Sequence, residues 1–308
     1  MVWVETIAPA RVEVLGRSTT TFEVQGHHYA WLVVDGLAPG TDSPYDVRLD
    51  GDLAWPAEDD PRPPPRLRTR APGAPLDLVF GSCRKDRPHA PPYELEPDQH
   101  PRGIGVDALQ GLALACQRGE RPLPDLLLML GDQVYADEGL SPALRERQRD
   151  KRPADSQPVG EVADFEEYTW LYQDAWSDAD VRWLLATVPS GMVLDDHDVR
   201  DDWNISQAWR ERVGRLPWWR ERMAGAFMSY WLYQHLGNLA PEDVERQGLL
   251  RALQAGDDGA LRRYAEQVDD EPPGGRRGGA GTARSTESGW SCSTSARPGS
   301  WSRGRARC

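Results

Sequence analysis

The chain has 308 residues, a length that predicts about two domains and allows a sizeable hydrophobic core. Its net charge of −13 argues against a duplex nucleic-acid partner, because neutralising phosphates requires a basic surface. The chain has no run of about 18 apolar residues, and its start lacks a basic segment followed by an apolar one. We therefore expect a cytoplasmic protein without a membrane partner.

Residues 2–55 contain short alternating or β-branched runs separated by Gly, Pro and Asp. This pattern predicts an antiparallel β-sandwich as the first domain, over residues 1–55. The segment VVDGLAPGTDSPYDVRLDG, from Val33 to Gly51, resembles the late strands of a fibronectin III-like module. Residues 56–75 are rich in proline and charge, which predicts a stiff, extended linker.

An α/β domain is predicted over residues 76–270. The apolar runs LDLVFGSC and DLLLMLGD flank a probable helix, GVDALQGLALACQRG, and together they predict a β-α-β unit with parallel strands. The run SGMVLDDHD predicts a third strand. The segments FEEYTWLYQDAW and MAGAFMSYWLYQHL place aromatic residues at helical spacing, which predicts two helices packed in a core.

The last segment, residues 271–308, has a different composition. It contains seven Arg and two Glu, so residues 1–270 carry a charge of −18. It also has no Leu, Ile, Val, Phe, Met or Tyr, and this composition predicts a disordered basic tail. We interpret the tail as the product of a shifted reading frame, with a natural low-complexity tail that binds an acidic partner as the alternative.

Potential metal ligands follow each of the three predicted strands. Cys83 ends the first, Asp132 and then Tyr135 follow the second, and residues 195–198 follow the third with the string DDHD. Ligands bind at the carboxyl ends of the strands in an open α/β sheet, so these side chains are expected to converge. Carboxylates gathered in one crevice repel one another unless cations neutralise them, which favours a metal site. The alternatives are an inert buried thiol at Cys83 and a solvated acidic loop.

Three strings then indicate a family: GSCR at 81–84, LGDQVYAD at 130–137 and LDDHDVRDDWN at 194–204. Together they resemble the motifs of the PhoD-like alkaline phosphatase family, within the calcineurin-like metallophosphoesterase superfamily. The resemblance spans roughly residues 76–236 and implies a sandwich domain followed by a metallophosphoesterase α/β domain with helical insertions. The family's later Gly-Asp-x-His string has no counterpart here, so we expect an incomplete catalytic domain, C-terminally truncated or frame-shifted.

The resemblance implies two metal ions. Cys83 and Tyr135 would bind iron(III) as thiolate and phenolate, and Asp132 would bridge to a second divalent cation. Calcium is the expected second cation, with zinc and manganese as alternatives. Asp196 would bind this second cation, and Asn204 or one of the aspartates just before it would complete the shell.

The resemblance also implies catalytic roles. His197 would face the phosphate of a small-molecule substrate, Asp198 would orient its imidazole, and Arg84 would hold a phosphate oxygen. The implied reaction is hydrolysis of a phosphate mono- or diester by a metal-bound hydroxide that attacks phosphorus. The alternative is a catalytically inactive, truncated remnant that binds phosphate or a partner.

Overall fold

A computed structural model describes residues 1–270 and 302–304. Nine short strands occupy the first 68 residues, and all of their pairings are antiparallel. They are β1 (Val2–Thr6), β2 (Arg11–Val14), β3 (Arg17–Thr20), β4 (Phe22–Val24), β5 (His27–Leu32), β6 (Asp42–Pro44), β7 (Val47–Leu49), β8 (Asp52–Trp55) and β9 (Arg66–Arg68). The sheets have the orders β1-β5-β4, β3-β2-β7-β8 and β6-β9.

Strand β5 contributes to two cores because successive side chains point to opposite faces of a strand. Ala30 and Leu32 are buried in the N-terminal core, together with Val12 of β2. Tyr29 is buried instead in the core of the downstream helical region. The N-terminal sheets are therefore packed directly against the helices that follow them.

The segment predicted as a linker contains β9, which pairs with β6. Pro63, which lies shortly before β9 in the chain, accepts a hydrogen bond of 2.7 Å at its backbone carbonyl from the indole of Trp183. Residues 63–68 are thus fixed to the structure on both sides. The fibronectin III-like character of the N-terminal region stays a prediction.

The centre of the second region is a parallel sheet, as the β-α-β pattern predicts. Its strands are β10 (Leu78–Gly81), β11 (Leu126–Leu130) and β12 (Ser190–Val193), in the order β12-β11-β10. Helix α1 (Ala108–Gln117) connects β10 to β11, and the three carboxyl ends lie at one edge. Strand β13 (Ser302–Gly304) pairs antiparallel with β10. The rest of the predicted disordered tail lies outside the described residues.

The remaining helices lie between β11 and β12 or after β12 in the chain. They are α2 (Pro142–Lys151), α3 (Phe165–Trp176), α4 (Ala179–Thr187), α5 (Gln207–Val213), α6 (Trp219–Tyr230), α7 (Leu236–Asn238), α8 (Pro241–Gln247), α9 (Leu249–Gln254) and α10 (Ala260–Asp270), with a 3₁₀ turn at Asp196–Asp198 and a π-helical turn at Trp231–His235. None of the helices in the described ranges is long and apolar enough to cross a membrane.

The two predicted aromatic helices correspond to α3 and to α6 with its π-helical extension, and they pack against each other. Tyr168 of α3 and Phe227 of α6 are buried in one core. Gly225 permits this approach, because a Cβ there would lie 2.7 Å from the backbone nitrogen of Phe165. Antiparallel N-terminal sheets followed by a parallel sheet with helices confirm the mixed α/β class.

Candidate metal centre

The site begins where β10 and β11 end, in two residues with left-handed backbone conformations. Cys83 has φ of 57° and Asp132 has φ of 51°. The backbone N–H of Cys83 donates to the carbonyl of Gly131 at 3.2 Å, which fixes the two loops to each other. Such conformations cost free energy in residues other than glycine, and they cluster at functional sites.

Gly131 lets the third strand's carboxylates approach this point. A Cβ at Gly131, whose φ is 104°, would lie 2.5 Å from Cβ and 2.8 Å from Oδ2 of Asp195. No side chain fits that space, so glycine is required for Asp195 to lie over the end of β11.

The convergence expected from the sequence is present as a carboxylate cluster. Asp132, Asp195 and Asp196 each offer an oxygen, and these oxygens lie within 4.8 Å of one another. Asp196 also belongs to a second group of the same kind, with Asp201 and Asp202. Two adjoining sets of carboxylates that share Asp196 match the donors expected for a pair of hard cations.

The pKa values in this cluster show a repulsion between carboxylates that a bound cation would relieve. Burial, and then repulsion by Asp195 and Asp196, raise the pKa of Asp132. Burial likewise raises the pKa of Asp195, with repulsion by Asp196 as a further cause. A bound cation would remove this repulsion, so the donor set fits a metal.

Cys83 and Tyr135 stand beside Asp132. Burial raises the pKa of the Cys83 thiol, and the negative charge on Asp132 raises it further. Burial also raises the pKa of Tyr135, with contributions from charges on Asp132 and Cys83. Both groups therefore stay protonated at neutral pH unless a cation compensates. Thiolate, phenolate and carboxylate together form a donor set that fits iron(III).

His197 connects the two sides of the cluster. Its backbone N–H donates to Asp132 Oδ1 at 3.2 Å and to Asp196 Oδ1 at 3.1 Å. Its ring stacks on Tyr135 with centroids 4.4 Å apart. Its Nδ1 lies 3.0 Å from Oδ1 of Asp137, which sets the orientation of the imidazole. Burial acts to lower the pKa of His197, but Asp137 and the nearby carboxylates outweigh it and raise the pKa.

The contact with Asp137 corrects the expected role of Asp198. The Asp198 side chain is buried and its carboxylate accepts four N–H groups rather than the imidazole. Three come from the backbone of Gln133, Val134 and Asp195, and the fourth is Nε2 of Gln234, at 3.0–3.2 Å. Burial raises the pKa of Asp198 to about 8. Its observed role is to hold the loops after β11 and β12 together.

Arg84 is also not where the resemblance implies. It is buried, with Nε donating to Asp107 Oδ2 at 2.8 Å and one terminal nitrogen donating to Asp86 Oδ1 at 3.1 Å. The other terminal nitrogen donates to the carbonyl of Ala175 at 2.8 Å. Asp107 caps the start of α1, so Arg84 fixes that helix to the end of α3. All three nitrogens of the guanidinium thus donate to protein acceptors, and the implied phosphate contact would have to replace one of them.

Asn204 lies at the rim of the site. It is exposed, with φ of 64°, in the turn that follows the 3₁₀ segment. Asp202, two residues earlier, donates its backbone N–H to Asp196 Oδ2 at 2.8 Å. The two aspartates that group with Asp196 are therefore better placed than Asn204 to complete this part of the shell.

Two site residues received no individual role from the resemblance, although both lie among the potential ligands that follow the strand ends. Asp195 belongs to the carboxylate cluster and Asp137 contacts His197. The sequence signal was their position after a strand, and neighbouring aspartates in one acidic loop are indistinguishable without the path of the backbone.

Comparisons with known proteins identify related families. Residues 110–262 match the model of the PhoD-like phosphatases, and residues 1–67 match a model described as a domain of unknown function, DUF7800. The first match contains Asp132, Tyr135, Asp196 and His197, whereas Cys83 precedes it. A solved structure described as "Structure of PhoD" is 19% identical with a TM-score of 0.45, over 73% of this chain and 39% of that one. No curated protein matches the chain.

Proposed function

Because residues 110–262 belong to the PhoD-like phosphatase family, we propose that this chain is a metal-dependent hydrolase of small-molecule phosphate mono- or diesters. The observation that supports this most is the carboxylate cluster of Asp132, Asp195 and Asp196, which follow the carboxyl ends of the parallel strands β11 and β12. The chain spans 39% of the solved relative, so its activity is proposed from its own residues.

We assign the candidate ligands to two cations. Cys83, Tyr135 and Asp132 would hold iron(III), and Asp132 with Asp196 would hold a second cation, calcium first and zinc or manganese as alternatives. Asp195 is added to this set by its position within 4.8 Å of both aspartates. When bound, the cations supply positive charge that polarises the phosphoryl group and makes a water molecule more acidic.

His197 is the proposed proton donor. Asp137 holds its Nδ1, its Nε2 lies 3.7 Å from Oδ1 of Asp201, and all three residues line a cleft of about 690 Å³. Asp137 and the nearby carboxylates raise the pKa of His197, which favours the protonated form that can donate a proton. In hydrolysis the water oxygen bonds to phosphorus, the ester P–O bond breaks, and His197 gives its proton to the leaving oxygen.

Metal content tests the centre directly. The purified chain, loaded with iron and calcium and then desalted, is expected to hold close to one equivalent of each by elemental analysis. Asp132→Asn should reduce the content about tenfold or more, because it removes a shared ligand. Asp258→Asn, an exposed carboxylate remote from the cluster, is the matched control. Equal metal content in Asp132→Asn and the unaltered chain would contradict the assignment.

Hydrolysis of bis(4-nitrophenyl) phosphate and 4-nitrophenyl phosphate by the metal-loaded chain then tests the reaction. Turnover that is lost in Asp132→Asn and retained in Asp258→Asn supports the hydrolase. A chain that binds both metals but hydrolyses neither ester would favour the inactive remnant instead.

A further inference from the structure

A cavity of about 720 Å³ opens beside the candidate metal centre. Tyr135, a candidate iron ligand, forms part of its wall, so the cavity and the centre are contiguous. Its volume is in the range of pockets that enclose small organic ligands, and it is far larger than one phosphate group needs. Nothing in the proposed hydrolysis uses this space.

Three arginines line the cavity: Arg87, Arg145 and Arg149. Arg87 donates to the backbone carbonyls of Asp86, at 2.6 Å, and Gly139, at 3.3 Å. Gly139 has φ of 67°, and a Cβ there would lie 2.8 Å from the Arg87 guanidinium, so this glycine makes room for it. Arg145 and Arg149 are exposed on α2, one helical turn apart.

Within the residues that the structure describes, none of these three guanidiniums forms an ion pair with a carboxylate, although the charge on Arg87 contributes to lowering the pKa of Glu138. The lining carboxylates mostly do have partners, because Asp86 pairs with Arg84, Glu138 with Lys85, and Asp178 with His89. Asp174 is the remaining acid on the wall. Outside these ion pairs the wall therefore has three guanidiniums and one carboxylate, whereas residues 1–270 as a whole carry a charge of −18.

Helix α2 adds to this charge. Its N-cap Ser141 and first residue Pro142 border the same cavity, so the positive end of the helix dipole faces it. The arginine side chains, the N-terminus of α2 and the rings of Tyr93 and Tyr135 all line this one cavity. This combination suits an anionic group carried on an organic body.

We propose that the arginine pocket, formed by Arg87, Arg145 and Arg149, binds a second phosphate group of the substrate, remote from the ester that is hydrolysed. The substrate class is then phosphate esters with an additional phosphate on the same molecule. This inference rests on the proposed hydrolase function for its kinetic consequence. Anion binding in the pocket itself does not depend on that function.

The kinetic test compares two chromogenic esters that differ only in the remote phosphate. They are the 5′-(4-nitrophenyl) ester of thymidine 5′-phosphate and the same ester with a 3′-phosphate. The metal-loaded chain is expected to show kcat/KM at least about tenfold higher for the second, mainly through KM, and the ratio should fall as salt rises. In the double variant Arg145→Gln/Arg149→Gln the ratio should approach one.

Arg147→Gln is the matched control. Arg147 lies on the same helix but packs over the Trp170 ring, 4.2 Å from its centroid, and is not part of the pocket wall. It should keep the full preference for the 3′-phosphorylated ester. A ratio near one in the unaltered chain, or an undiminished ratio in the double variant, would overturn the proposal.

A second measurement separates the pocket from catalysis. Inorganic pyrophosphate is titrated calorimetrically into the chain with EDTA present, so that no metal contributes. Binding should weaken at least about tenfold in the double variant and stay unchanged in Arg147→Gln. Absence of binding to the unaltered chain would refute the pocket. If pyrophosphate binds as expected but neither ester is hydrolysed, the pocket stands and the hydrolase function fails.

Discussion

Backbone conformation at single residues decides whether the metal centre can form. Glycine is needed at position 131 for two reasons: the backbone has a positive φ, and Asp195 leaves no space for a side chain. Asp198, two residues past the cluster's Asp196, accepts four N–H groups and fixes the loops that carry the ligands.

Gly131→Ala is expected to lower the free energy of unfolding by about 2 kcal/mol or more and to reduce metal content, because the new methyl displaces Asp195. Gly51→Ala is the control, since Gly51 has φ of 96° and an added Cβ would meet nothing within 4 Å. It should show the backbone cost alone, about 1–2 kcal/mol, with metal content intact. Denaturant unfolding and elemental analysis measure both quantities. Identical metal content in the two variants would refute the packing argument.

Asp198→Asn is expected to destabilise the chain by about 1–3 kcal/mol, because Oδ2, which accepts the backbone N–H of Asp195, becomes an amide nitrogen that cannot accept it. Asp243→Asn, whose carboxylate pairs with Arg246 at the surface, should change stability by less than about 0.5 kcal/mol. Urea unfolding of both variants provides the comparison. A loss in Asp198→Asn no greater than in the control would show that the hydrogen bond from Asp195 contributes little.

At the scale of elements, α6 holds the loop that carries His197. Arg222 of α6 is fully buried, and its Nε and one terminal nitrogen donate to the carbonyl of Val199, next to the 3₁₀ turn. The other terminal nitrogen donates to Val162 and Glu161, at 2.9 and 2.8 Å. One side chain thus joins three segments through charge-assisted hydrogen bonds.

Arg222→Met is therefore expected to lower the free energy of unfolding by about 3 kcal/mol or more, since it leaves buried carbonyls and a carboxylate without their donor. Arg220→Met, on the same helix with a largely exposed side chain, should change it by less than about 0.5 kcal/mol. Thermal or urea unfolding of the pair tests this. Equal stabilities would mean that the loop is held by other contacts.

At the scale of the whole molecule, the N-terminal sheets and the helical region are joined through His27. Its Nε2 lies 2.8 Å from Glu166 of α3, and its Nδ1 lies 3.5 Å from Glu5 of β1. The Tyr233 hydroxyl donates to the same Glu5 at 3.0 Å. Hydrogen bonding to Glu5 and then to Glu166 raises the pKa of His27 above its ordinary value, although burial opposes the shift.

This pKa shift predicts a pH-dependent stability. A group whose pKa is raised on folding stabilises the native state fully below its unfolded pKa, about 6.5, and loses that contribution as pH rises through the folded value. The difference in unfolding free energy between the unaltered chain and His27→Gln should therefore shrink as pH increases above about 6.5. Glu23→Gln, exposed on β4, is the control. A difference that does not vary with pH would contradict the prediction.

The sequence by itself determined the parallel strands and the ligand-bearing strings at their ends, because apolar runs and their order are local properties of the chain. It also indicated the buried faces of α3 and α6, since helical spacing fixes which residues share a face. Only the tertiary structure decided which carboxylate meets His197. That residue is Asp137, 60 positions earlier, and not the adjacent Asp198.

Arg84 and the arginine pocket show the same limit. An arginine beside a candidate ligand suggests a phosphate contact, but the folded chain gives Arg84 three protein acceptors. Arg87 lies in the loop after β10, whereas Arg145 and Arg149 lie on α2, and the three meet only because α2 packs beside that loop. Local patterns specify elements and the types of residue at their ends, whereas the paths of the connecting loops, set by packing across the whole molecule, decide which of those residues come into contact.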